Sequence, residues 1–78
     1  PHEYMNFYVL GFVIHISNGQ LGNALKKLSE RQRNVILMFY FLDMSDVEIA
    51  KLIQISRSAA YRNRKNALNN LKVQMKGK

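Results

Sequence analysis

Four cations, Arg57, Arg62, Arg64 and Lys65, fall within the stretch ISRSAAYRNRKNAL (residues 55–68), and no acid accompanies them. Guanidinium and ammonium groups gathered without counter-charges are suited to binding anions, and polyphosphates above all. Other chemistries find little support in the chain. It has no cysteine, which excludes disulfides and thiolate metal sites. Its two histidines, His2 and His15, are scattered, and His15, in an apolar stretch, reads as a packed side chain rather than a ligand. Glu30, Asp43, Asp46 and Glu48 stand at expected helix ends, where carboxylates favour the macrodipole or serve as caps, and they form no catalytic pair. There is no Gly-rich phosphate loop and no nucleophile–base constellation. The chain is therefore not expected to be an enzyme, and no cofactor is expected.

The distribution of charge narrows the choice of partner. The net charge is +7, and residues 1–50 hold four cations against five acids, whereas residues 51–78 hold eight cations and no acid. Such segregation produces a one-sided field, for which nucleic acid is the first partner to consider and an anionic membrane surface the second. The longest apolar runs, Phe7–Ile16 and Val35–Leu42, fall short of the ~20 residues that span a bilayer. The N-terminus lacks the basic start and cleavage site of a signal peptide. A cytoplasmic location without membrane contact is the expectation. The 78 residues suffice for one small domain, and a start at Pro1 fits either removal of Met or a fragment.

Three Ser-x-x-Glu/Gln patterns mark where helices should begin: Ser17 with Gln20, Ser29 with Gln32 and Ser45 with Glu48. In each, the hydroxyl accepts from an otherwise unpaired backbone N–H while the later side chain reaches back to the cap. The first helix is expected from about Gly19 to Leu28, with Leu21, Ala24, Leu25 and Leu28 on one face. The second runs from about Glu30 to Leu42, and its eight consecutive apolar residues from Val35 call for burial on all sides, under the N-terminal segment or at an interface. Within it, Phe39, Tyr40 and Phe41 read as core rather than as a partner site. The third spans about Asp46–Ile53 with Val47, Ile49, Ala50 and Ile53 inward, and the fourth starts after Ser56 and continues to about Met75 along a stripe of Ala60, Ala67, Leu68, Leu71 and Met75. The β-branched and aromatic residues between Tyr4 and Ile16 predict a strand or extended segment laid across the second helix. The expected fold is all-α, a small four-helix bundle preceded by that strand-like segment. Its divisions are residues 1–16 packing on the core, 17–76 as the helical domain and 77–78 as a frayed tail.

The third and fourth helices, with about three residues between them (Gln54–Ser56), form the helix-turn-helix pattern. Ala50 is small where the helices must approach, Ile49, Ile53 and Ile55 supply apolar contact, and Ser56 caps the second of the pair. On a helical wheel Ser58, Arg62, Lys65, Asn69, Lys72 and Lys76 lie opposite the stripe, with Tyr61 flanking. The N-terminal residues of a recognition helix reach base edges in the major groove, which places Arg57, Ser58, Tyr61 and Arg62 there and Lys65, Lys72 and Lys76 near phosphates. For Tyr61, packing and contact with DNA are equally open. Arg64 falls near the stripe and is expected to lie along the core edge.

The segment LSERQRNVILMFYFLDMSDVEIAKLIQISRSAAYRNRKNALNNLK resembles region 4 of the sigma-70 family of bacterial RNA polymerase sigma factors. The matching pieces are Leu28 with Arg31, Gln32 and Arg33; Ser45 with Glu48, Ile49 and Ala50; Ile55 with Ser56; and Ala67, Leu68 and Leu71. The resemblance covers about residues 21–75, and its MFYFLDMSDVEIA part is most similar to small sigma-like proteins of mobile genetic elements. It implies double-stranded DNA, at a −35-like promoter element, and the β flap of RNA polymerase as partners. Arg57, Ser58, Tyr61, Arg62 and Lys65 are the DNA contacts it implies, with the first two helices facing the polymerase. The sequence departs from the family pattern at Gln54, where the turn usually has glycine and a left-handed residue costs about 1 kcal/mol. It departs again at Asn63 and Arg64, where one apolar residue is usual, and this should loosen the middle of the fourth helix. No segment resembles region 2, so the chain alone is not expected to be a whole sigma factor. Two other readings remain: a stand-alone helix-turn-helix regulator binding DNA as a homodimer, and a module that binds polymerase or an anti-sigma-like protein with little affinity for DNA.

Overall fold

The computed structural model describes residues 4–76. The tail expected at residues 77–78 lies outside the described residues, as do residues 1–3 of the N-terminal segment. The chain runs through two strands, β1 (Met5–Val9) and β2 (Phe12–Ile16), then α1 (Gly19–Lys26), α2 (Glu30–Ile36) continued by a π-helical segment Leu37–Phe41, α3 (Asp46–Ile53) and α4 (Arg57–Lys76). The fold is mostly helical but not all-α, because the N-terminal segment pairs with itself as an antiparallel hairpin.

That hairpin follows from alternation and one tight turn. Phe7, Val9, Ile14 and Ile16 point into the core while Tyr4, Asn6, Tyr8, Val13 and His15 are exposed. Leu10 (φ 53°) and Gly11 (φ 79°) form the two-residue turn, and positive φ at both positions matches the right-handed twist of the strands. The hairpin docks on α1, where Gly22 leaves the space that the Met5 side chain fills. His15 is exposed and not packed in the core: its Nδ1 lies 2.6 Å from Asn6 Oδ1, and its ring meets Tyr4 edge-on.

Helix ends explain most of the remaining boundaries. α1 is capped by Asn18, not Ser17: the Asn18 side chain accepts from Leu21 N–H at 3.0 Å. Gln20 is thereby freed to donate to the Met75 carbonyl of α4, 2.8 Å away. α1 also ends earlier than its periodicity predicts, because Lys27 and Leu28 bond three residues back and Arg33 donates to the Leu28 carbonyl at 3.1 Å. Ser29 caps α2, but Gln32 uses its side chain to accept from Asn70 of α4 and not to close a box. Ser45 and Glu48 form the complete capping box of α3.

The second helix departs from expectation in its last half. A Leu42 N–H to Leu37 carbonyl bond widens the turn, and Asp43 (φ 58°) then reverses the chain. Val35 to Met38 are buried, yet Tyr40 and Phe41 are 47 % and 42 % exposed, so the apolar run is not enclosed on all sides. Val47, expected inward on α3, is exposed as well: Ile49 and Ala50 are the buried residues of this helix, and Ile53 is half-buried.

Candidate nucleic-acid interface

α3 begins on a full capping box and ends at Gln54, which takes the left-handed conformation (φ 60°, ψ 51°). Its residue type makes this costly, by about 1 kcal/mol relative to glycine. In return the Ile55 N–H reaches the Ala50 carbonyl (3.0 Å), closing the helix end and turning the chain sharply. Ser56 then caps α4 by accepting from Ala59 N–H at 3.0 Å. Buried Ile49, Ala50 and Ala60 fill the seam between the two helices. The turn is thus fixed on both sides by local bonds, and it sets where the first residues of α4 project.

Arg57, Ser58, Tyr61, Arg62, Lys65 and Lys72 are all exposed. At 100° per residue the six fall within an arc of about 140° on α4. The opposite side carries Ala60, Ala67 and Leu71, buried in the core, while the partly buried Leu68 and Met75 lie at the edge of the arc, in line with Arg57. A shallow hollow at the α3–α4 junction is lined by Asp46, Arg57, Ser58, Tyr61 and Arg62. No acid lies on α4.

Arg64 behaves differently from its cationic neighbours. Its Nε and Nη2 donate to the two carboxylate oxygens of Asp46 at 2.8 Å each. Its guanidinium also lies 4.0 Å from the Phe39 ring centroid and 5.2 Å from that of Tyr61. The side chains of Arg64 and Asp46 are 15 % and 17 % exposed. Hydrogen bonds from Arg64 hold the Asp46 carboxyl below the usual carboxylate range, against the opposing effect of burial, and the pair raises Arg64 in turn. The middle of α4 is therefore clamped, not loosened, and Asn63 adds a bond to the Ala59 carbonyl at 2.9 Å. Arg64 lies at the core edge, as its wheel position implies.

Sequence reasoning assigned Asp46 to capping and Phe39 to the core, and missed their shared role beneath Arg64. The available signal was an arginine beside an apolar stripe, which needs a counter-charge from another element. Tyr61 is 49 % exposed, between Arg64 and Lys65, whose Nζ lies 6.0 Å from the ring. Lys65 and Lys72 continue the cationic face down the helix. Among the described residues no cluster of His, Cys, Asp and Glu is arranged to hold a metal ion, and no helix is long and apolar enough to cross a membrane.

A short helix, a fixed turn and a longer helix bearing cations on its free face define a helix-turn-helix DNA-binding domain. Residues 18–71 match the family described as Sigma-70, region 4, and the chain belongs to that family. The domains of this family bind DNA in transcription initiation and interact with RNA polymerase. Comparison with curated proteins and with solved structures finds no match.

Proposed function

We propose that this protein is a sequence-specific DNA-binding module that recognises a −35-like promoter element through the major groove. Arg57, Ser58, Tyr61 and Arg62 meet base edges in this reading, while Lys65 and Lys72 meet phosphates. The observation that carries it is the division of labour on α4: the six candidate side chains are exposed, whereas Arg64 is withdrawn onto Asp46. The free surfaces of α1 and α2 are left to meet the β flap of RNA polymerase, and the work is cytoplasmic. Residues 17–76 are then the DNA-binding domain, with the hairpin of residues 4–16 an addition packed against it.

The test is fluorescence anisotropy with promoter-like duplexes and scrambled controls at two salt concentrations. Selective binding that weakens steeply with salt is expected, since each neutralised phosphate releases counterions. Equal binding to every duplex would reduce α4 to a source of charge. The exposure of Tyr40 and Phe41 favours keeping a second reading, a stand-alone dimeric regulator. Sedimentation as a monomer at high concentration would remove it.

A further inference from the structure

The hairpin lies outside the residues that match the family, and its outer edge has unmet capacity. With the turn at Leu10–Gly11, Val9 pairs with Phe12, Phe7 with Ile14 and Met5 with Ile16. Antiparallel alternation puts the ladder bonds at those pairs, so the N–H and C=O groups of Asn6 and Tyr8 point away from β2. Among the described residues no backbone partner meets them. Over the described part of the edge the usual guards are missing: residues 4–18 contain no Lys, Arg, Asp, Glu or Pro.

This edge faces a trough, not open solvent. One hollow is lined by the consecutive residues Asn6, Phe7 and Tyr8 opposite Arg33 and Asn34, the pattern of a strand approached from its edge. A second hollow continues from Tyr8 to Leu10 opposite Arg31, with Met38 and Ile53 along it. The two share Tyr8, Glu30 and Asn34, so together they run along β1 against α2. Lys26, Arg31 and Arg33 line the trough against a single acid, Glu30. Arg33 is already engaged with the Leu25 and Leu28 carbonyls, whereas Lys26 and Arg31 are exposed.

We propose that the β1 edge is a docking site for an extended acidic segment of a protein partner, which adds as a third strand between β1 and α2. Its backbone pairs with Asn6 and Tyr8. Apolar side chains at alternate positions meet Leu52 and Ile53, which line the trough and are exposed and half-buried respectively, and the carboxylates between them meet Lys26 and Arg31. The charge of the trough selects such a segment over the β1 edge of a second copy, because residues 4–18 carry no acid to meet Lys26 and Arg31. The site is independent of the DNA-reading face of α4 and stands or falls without it.

The experiment is an amide-resolved NMR titration of the full chain with a synthetic peptide of about eight residues alternating glutamate and valine. Slowed exchange and shifted resonances at Asn6 and Tyr8 are expected. Replacing glutamate by lysine, methylating alternate peptide amides, or introducing Arg31→Glu should each weaken binding by about tenfold or more, with helicity unchanged in the variant. The proposal is overturned if Asn6 and Tyr8 do not respond, or if the lysine peptide binds as well. It is also overturned if concentrating the protein alone protects those amides, which would give the edge to a second copy.

Discussion

Arg64 of α4 grips Asp46 of α3 through two parallel hydrogen bonds of 2.8 Å, joining residues eighteen positions apart in the chain. The pair fastens the reading helix to the helix before it at a point where an apolar contact would ordinarily serve. Phe39 beneath the guanidinium extends the same fastening to the end of the second helix. The charge of Arg64 is therefore consumed within the fold, and the face offered to an anion is made by its neighbours.

Removing one partner should expose the dependence on the other. Asp46→Ala leaves a half-buried guanidinium without its carboxylate, and a loss of about 1–2 kcal/mol is expected from the urea midpoint. A loss under about 0.5 kcal/mol would mean that solvent screens the pair. Because the folded Asp46 carboxyl is depressed, its contribution is present above its unfolded value of about 3.9 and disappears as pH falls through the lower folded value. Acid unfolding of Asp46→Ala should thus be less steep in that window than that of the parent.

Gln54→Gly should stabilise the protein by about 0.5–1 kcal/mol, since the left-handed turn costs glycine nothing sterically and the gain is partly offset by a freer unfolded chain. Urea unfolding with a raised midpoint and unchanged slope is the expected result. A lowered midpoint would show that the Gln54 side chain contributes something its backbone cost conceals.

Caps offer a test of the first helix. Asn18→Ala should cost about 1 kcal/mol, whereas Ser17→Ala should stay within about 0.5 kcal/mol. The reverse order in thermal unfolding would return the cap to Ser17.

For the DNA-binding reading, Arg57→Ala and Arg62→Ala should each cost about 1–3 kcal/mol at particular base positions and relax specificity there. Lys72→Ala should weaken all sequences alike and lower the salt slope by about 1. Competition with single-base variants of the site separates the two patterns. Uniform losses for all three variants would sink direct readout by Arg57 and Arg62.

What the sequence revealed depended on how local each cause was. The third helix, its turn and the start of the fourth are legible because Ser45, Glu48, Ala50 and Ser56 act on residues a few positions away. The first cap is misread because Asn18 competes with Ser17 one position away, and the cross-chain bond from Gln20 to Met75 has no sequence signal. The hairpin is legible only as extended chain, since Leu10–Gly11 lacks the Asn-Gly signature of its turn. The candidate DNA face is readable from the wheel of α4, but not the Arg64–Asp46 clamp, which exists only once α3 and α4 are packed.

Six cations lie on the single helix α4, and residues 4–25 carry no Lys, Arg, Asp or Glu. A molecule so divided has a large electric dipole moment, and a polyanion exerts a torque on it before any surface touches. Rotational diffusion is then biased, so encounters begin with α4 leading. Ionic strength would slow such encounters through lost orientation as well as lost attraction, even where every final contact is intact.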